Sequence, residues 1–429
     1  MKKSNFQTIF IGIFIACAVA AIAIFAGFIK LPAKSKTAGP TGPVVMWGTV
    51  PSRALGVSLQ SFNNKQSYSF SYVEKNSDTF ETDLIEALAS GTGPDLFLLP
   101  QDSLYRFENK IIPIPYTNFP AETFRATYAQ IADVLLAKDG ILGFPMAIDP
   151  LIMYYNPNLL EAKGISLPPK TWDDVVAIAP KLTVKTNAGI VSKASIGLGE
   201  YTNIENAKAI ISALFMQAGS PIVSRDPAGT YAPKLLGSGA TTDALRFYMS
   251  FSDASNPVYT WNKSLRSSRD MFVAGDLAMY LGFASELPTI ARLNPNLKFF
   301  VSSFPQSKDG LPSDFGRLYS IVISKSSKNL TGAYGVAGLF AASPVADAMT
   351  QSLSMTPVLR TKLAIKPQTT FGPIIYDQAL VARTWIDPNT TASDTLFKMM
   401  VTDIASGRTA IEQAISTAHA GLQSIFYPR

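Results

Sequence analysis

Along most of the chain, short apolar runs alternate with stretches whose apolar residues recur every three or four positions, and this predicts strands and helices in turn. Residues 44–47 (Val, Val, Met, Trp) read as a strand broken by Gly48 and Pro51, after which Leu55, Leu59 and Phe62 recur at helical spacing. Residues 67–73 alternate as a strand does. Residues 79–89 return to helical period through Phe80, Leu84, Ile85 and Leu88, and Gly91 and Gly93 hand over to the apolar strand 95–99. This order implies a parallel sheet covered by helices, with ligand sites beyond the carboxyl ends of its strands, where Trp47 and Asp102 fall.

A second α/β region begins near Asp149. Residues 152–155 read as a strand, and Thr171 with Asp174 has capping-box spacing ahead of Val175, Val176, Ile178 and Leu182. Further helices are predicted at 207–218, 242–251, 267–274, 333–342, 345–352 and 393–406, with strands near 278–281 and 318–323 between them. No internal repeat is visible.

The N-terminus is of another kind. No residue from Ser4 to Ile29 is charged, and residues 9–29 form an apolar run of 21, long enough to cross a hydrocarbon core of about 30 Å as a helix. A cleaved signal peptide would have a shorter apolar core of about 7–15 residues. Residues 1–30 therefore predict a retained membrane anchor, with Cys17 inside it. Residues 31–43, rich in Pro, Gly, Ser, Thr and Lys, predict a flexible tether.

Charge follows the same division. The formal net charge is +6, but Lys2, Lys3, Lys30, Lys34 and Lys36 all precede residue 44 with no acid among them, so the remainder holds 32 basic and 31 acidic residues. So balanced a body offers no cationic face for nucleic acid. With one cysteine and one histidine in 429 residues, disulfide frameworks and cysteine–histidine zinc sites are excluded. No phosphate loop, dinucleotide fingerprint, GxSxG elbow or HExxH helix is present. His419 lies in an amphipathic segment and reads as an ordinary helix residue. Neither a cofactor, a metal nor a catalytic residue is assigned.

Four segments resemble one family. They are LASGTGPDLFLL (88–99), FPMAIDPLIMYYNPNLLEAKGISLPPKTWDDV (144–175), MFVAGDLAMYLG (271–282) and MMVTDIASGRTAIEQAI (399–415). The body from Val44 onward is similar to the extracytoplasmic solute-binding proteins of ABC importers, family 1, the maltose-binding-protein-like sugar binders. That resemblance implies an α/β fold of the periplasmic-binding-protein type II. Two α/β lobes, 44–148 with 318–362 and 149–317 with 363–429, would be joined by crossings near Asp149, near Arg317 and shortly after Pro357 and Val358, with a ligand cleft between them. It also implies a body outside the membrane, a small-molecule ligand, most simply a carbohydrate, and a permease as partner.

A sugar site needs carboxylates or amides for hydroxyls and aromatic faces for C–H patches. By the resemblance, Asp149 is an acidic residue pointing into the cleft, Asp102 an acidic ligand contact after the third strand, Trp47 a cleft-edge ring, and Glu200 with Tyr201 an acid-plus-aromatic pair. Phe283 and Glu286 stand near the family's stacking tryptophan, which is Ala284 here, so Trp261 and Trp385 are candidate replacements. Arg53, Lys263, Arg266, Arg317 and Arg360 are cations available to an anionic ligand. Two other functions fit the same residues: an anchored sensor or adhesin using this binding fold, and a cell-wall glycan hydrolase with Asp149 and Asp102 as paired carboxylates.

Overall fold

The computed structural model describes residues 43–428 apart from Ser67, Ser238, Asp309 and Leu311. The anchor and tether predicted for residues 1–43 thus lie almost wholly outside the described residues. Among the described residues no helix is long and apolar enough to cross a membrane. Residues 43–429 form one compact unit.

Its centre is one mixed sheet. The principal strands are β1 (Val44–Gly48), β2 (Phe70–Glu74), β3 (Leu96–Pro100), β4 (Phe144–Tyr155), β5 (Val191–Ile196), β6 (Leu277–Phe283) and β7 (Asp314–Ile323). They lie side by side in the order β2-β1-β3-β7-β4-β6-β5. β1 is parallel to β2 and β3, β7 is antiparallel to β3 and β4, β6 is antiparallel to β4, and β6 is parallel to β5. The predicted strands all form, with the segment read as 67–73 lying at Phe70–Glu74.

β4 holds the two ends of the sheet together because it changes partner along its length. Phe144 to Pro150 pair with β7, whereas Leu151 to Tyr155 pair with β6. Eleven of its twelve residues are buried, as expected of a strand with elements on both faces. A proline inside a central strand normally removes a ladder bond. Pro150 sits at the handover, the last residue paired with β7 and the one before β6 takes over, where that loss costs least. Asp149 lies one residue earlier, in register with Arg317.

The helices include α1 (Gly56–Lys65), α2 (Phe80–Ser90), α3 (Trp172–Leu182), α4 (Ala207–Gln217), α5 (Leu330–Phe340), α6 (Gly372–Val381), α7 (Thr390–Ala405) and α8 (Ile411–Phe426), with others between them. α3 begins as its sequence requires: the Thr171 side chain accepts from the Asp174 N–H and the Asp174 carboxylate accepts from the Thr171 N–H. α2 ends at Gly91, whose φ of 69° lies in the left-handed region that only glycine enters freely. α4 packs on β7, α5 on β7 and β4, α3 on β5, and α7 pairs with α8 across the Ser406, Gly407 and Arg408 joint.

Candidate functional site

Beyond the carboxyl end of β3 opens a cavity of about 490 Å³, whose walls come from distant parts of the chain. The turn after β3 supplies Gln101 and Asp102; the segment entering α4 supplies Tyr201, Asn206 and Lys208. β6 and β7 supply Phe283, Phe315 and Arg317, and the segment entering α7 supplies Trp385, Asp387, Thr390 and Asp394.

Several wall residues are held by specific contacts. Lys208 Nζ donates to Asp387 Oδ2 and to Ser393 Oγ, both at 2.5 Å, and lies 5.3 Å from the Trp385 ring centroid. Trp385 Nε1 donates to Ser212 Oγ at 3.2 Å and its ring stacks on Phe397 at 6.1 Å and 14°. One ring face is thereby fixed by packing. Tyr201 Oη donates to Asp394 Oδ1 at 2.5 Å. Burial, aided by the adjacent Asp394 carboxylate, raises the phenol's pKa far above its usual value, so it remains a donor.

On the opposite wall the Arg317 guanidinium lies 3.7 Å from the Phe283 ring centroid, and Phe315 meets the same ring edge-on at 6.2 Å. Arg317 Nη1 stands 3.9 Å from Asp149 Oδ2, beyond hydrogen-bond reach, so its donors are not consumed by that carboxylate. Half-buried Asp102 offers an acceptor whose pKa is raised by burial and by Asp387, against the pull of Arg317 and Lys208. Gln101 is oriented by accepting from the Leu318 N–H at 2.8 Å. The cavity therefore combines aromatic surfaces, ring edges and faces alike, with carboxylates, two amides and two cations. It can hold a polyhydroxylated ring through hydroxyl hydrogen bonds and C–H contacts.

Of the nine residues expected from sequence, Asp102, Tyr201, Phe283 and Trp385 line this one cavity. Asp149 is fully buried behind it, accepting from the Ser285 N–H at 2.9 Å and Ser285 Oγ at 2.7 Å; burial pushes its carboxyl up to about 6 despite Arg317 and Ser285. Its oxygens are turned to Ser285, not outward. Glu286 likewise braces the wall, accepting from Asn206 Nδ2 at 2.7 Å, Tyr280 Oη at 2.5 Å and the Phe283 N–H at 2.9 Å.

The other three lie elsewhere. Glu200 faces a separate groove of about 800 Å³ with Thr202, Tyr259 and Lys263, because successive residues after Gly199 point to opposite sides. Trp261 is fully buried, with Nε1 donating to Asn203 Oδ1 at 3.1 Å, a core tryptophan with its polar atom satisfied. Half-buried Trp47 is capped by Lys75, whose Nζ lies 3.7 Å from its ring centroid. Among the named cations only Arg317 reaches the cavity; Arg266 pairs with Asp276 and Arg360 donates to the Arg125 carbonyl.

The sequence reading missed Asn206, Lys208, Asp387, Thr390 and Asp394. One signal was available: Lys208 is the sole charge in the α4 sequence AKAIISALFMQ and sits in the first turn, where the helix dipole disfavours a cation without a partner. Among the described residues no group of three or more His, Cys, Asp or Glu side chains could hold a metal ion.

Residues 62–343 match the family described as bacterial extracellular solute-binding protein. The chain belongs to that family. This solute-binding protein is 25% identical over 307 residues to a binding protein of Brucella abortus (strain 2308), covering 67% of this chain and 72% of that one; a binding protein of Brucella suis biovar 1 (strain 1330) gives the same figures. In three dimensions it resembles a cyclo/maltodextrin-binding protein complexed with maltotetraose, with a TM-score of 0.74 at 16% identity, over 92% of this chain and 99% of that one. It also resembles a cyclic alpha-maltosyl-1,6-maltose binding protein from Arthrobacter globiformis, with a TM-score of 0.71 at 16% identity, over 90% of this chain and 99% of that one. An ABC transporter solute-binding protein from Thermotoga lettingae TMO, bound with alpha-D-tagatose, aligns with a TM-score of 0.63 at 21% identity, over 90% of this chain and all of the other. The solute-binding protein thus has the α/β fold of these sugar binders.

Proposed function

We propose that this solute-binding protein captures a sugar or short oligosaccharide in the cavity at Asp102, Tyr201, Phe283 and Trp385, and presents it to the permease of an ABC importer. The observation that carries the reading is the meeting in one hollow of four aromatic side chains with Asp102, Asp387 and Asp394. A few charge-assisted hydrogen bonds at about 1.5–3 kcal/mol each and aromatic contacts at about 1 kcal/mol, less the cost of ordering, give an affinity near micromolar. Capture is reversible and leaves the ligand unchanged. The paired-carboxylate alternative is weakened because Asp149 is engaged by Ser285 and does not line the cavity with Asp102.

The division into lobes 44–148 with 318–362 and 149–317 with 363–429 belongs to this proposal, as does anchoring of an extracytoplasmic body through residues 1–30. Partner exchange along β4 at Pro150 supports a crossing there. The proteins of similar fold complexed with maltotetraose and bound with alpha-D-tagatose support the ligand class.

A thermal-shift screen of the purified chain against sugars, peptides and polyamines tests it. A true ligand at a hundred times its dissociation constant stabilises the fold by about 2.7 kcal/mol. Trp385→Ala should abolish the shift given by a sugar. Should peptides or polyamines shift the midpoint while no sugar does, the carbohydrate reading is wrong. For the anchor, cell fractionation should place the full chain with membranes and a chain starting at Val44 in the soluble fraction.

A further inference from the structure

Trp385 also borders a second cavity, of about 360 Å³, whose walls include Arg125, Arg225 and Arg383. Carboxylates outnumber cations in the first cavity. Here three guanidiniums face one lining carboxylate, Asp133. Arg125 comes from the helix Ala121–Thr127, Arg225 from the strand Val223–Arg225, and Arg383 from the segment Ala382–Arg383 paired with β7.

None of the three is fully matched. Arg225, with its side chain only 13% exposed, donates to the Leu136 carbonyl at 3.0 Å and reaches Glu108 at 3.4 Å, while its Nε is buried with no partner. Arg383 donates through Nη1 to the carbonyls of Val381 and Ala382, both at 3.0 Å, contacts that carry no countercharge. Arg125 Nε is 3.5 Å from Asp133. Thr384 Oγ1, on a residue of the same wall, is buried and unpartnered.

A further carboxyl nearby does not neutralise them. Asp314 is fully buried with neither oxygen hydrogen-bonded, and burial raises its pKa well above the carboxylate range against the attraction of Arg383. Burial also lowers the pKa of Arg225 and of Arg383, as expected of cations short of compensation. Guanidiniums gathered from three segments repel one another unless an anion lies between them, and their planar forks match the paired oxygens of phosphate and carboxylate groups.

We propose that this cavity is a second ligand site, separate from the saccharide cavity, which takes a small oxyanion presenting phosphate or carboxylate oxygens to Arg125, Arg225 and Arg383. The bound group bridges segments far apart in the chain. It sits beside Trp385, which also lines the first cavity.

Isothermal titration of inorganic phosphate, and separately of citrate, into the purified full chain at constant ionic strength tests the assignment. Saturable binding of either, one per chain, is expected, and the stronger of the two identifies which oxyanion chemistry the site prefers. Arg125→Gln and Arg383→Gln should each weaken that binding by about tenfold or more, whereas Arg317→Gln in the first cavity should leave it unchanged. The Arg125 side chain is 56% exposed, so its replacement leaves the fold intact. Arg383→Lys, which keeps the charge and loses the fork, should give an intermediate loss. Absence of saturable binding of both probes overturns the proposal. So does binding that Arg317→Gln removes and the other two substitutions spare.

Discussion

Asp149 shows how a residue can sit at the right place in the chain and act differently there. Its carboxylate is fully buried and turned to Ser285, and burial pushes its pKa up to about 6. Below the unfolded pKa of 3.8 both states are protonated and the group is neutral in its effect. As pH rises from there to about 6 the unfolded chain ionises while the folded one does not, so stability is lost across that window and levels off above it. Asp149→Asn removes this dependence. Its stability relative to the parent should grow by on the order of 2–3 kcal/mol between pH 4 and 7 in urea titrations. A difference that stays flat would show that the Asp149 carboxyl titrates in the fold as it does in the unfolded chain. Lys208 makes the converse case, since Asp387 is 3% exposed and depends on it. Lys208→Met should destabilise by about 3–5 kcal/mol, with much of the loss recovered by adding Asp387→Leu. Equal losses in single and double variants would refute the pairing. Neither the orientation of Asp149 nor the partner of Lys208 was legible in sequence: burial decides the first, and the second lies 179 positions along the chain.

At the scale of elements the sequence reading was far more successful, because periodicity, caps and glycine stops are local. The α3 capping box and the Gly91 stop of α2 both stand where their residue types require. What periodicity could not convey was the direction of side chains leaving an element. After β5 the chain turns at Gly199, with φ at 92°, and places Glu200 and Tyr201 on different surfaces. A Cβ at Gly199 would lie 2.6 Å from the Ser252 nitrogen, a backbone atom that cannot swing aside. Gly199→Ala should therefore cost about 2–4 kcal/mol in chemical denaturation, combining left-handed strain with overpacking, and should displace Tyr201 from Asp394. Wild-type stability in that variant would mean that the turn is not held as described. Trp261 and Trp385 show the same limit. Both adjoin turn-rich sequence, yet one fills the core and the other lines the cavity, since only tertiary packing determines which ring face stays open.

Across the whole molecule, segments placed in different proposed lobes meet beside the cavities. Tyr231 Oη donates to Glu108 Oε2 at 2.7 Å, Tyr105 Oη donates to the Phe426 carbonyl at 2.9 Å, and Tyr105 meets the rings of Tyr231 and Phe426 edge-on, those two rings being stacked on each other within one proposed lobe. In the proposed two-lobe reading, contacts across the lobes exist only when the lobes are together, so they would stabilise a closed arrangement whether or not ligand is bound. A ligand in the cavity adds its own contacts to both sides and shifts the population further. On that reading, weakening the aromatic cluster should act on release more than on capture, because an open form meeting the ligand would not contain the cross-lobe contacts. For Tyr105→Phe combined with Tyr231→Phe, two hydrogen bonds of about 1 kcal/mol each are lost, which predicts a dissociation rate raised by about ten- to thirtyfold with association changed by less than about threefold. Trp385 supplies the signal for stopped-flow fluorescence with the sugar identified by thermal shift. Slower association at an unchanged dissociation rate would mean that these residues assemble the site before the ligand arrives, and the contacts would then be part of its preformed wall and not of its closure.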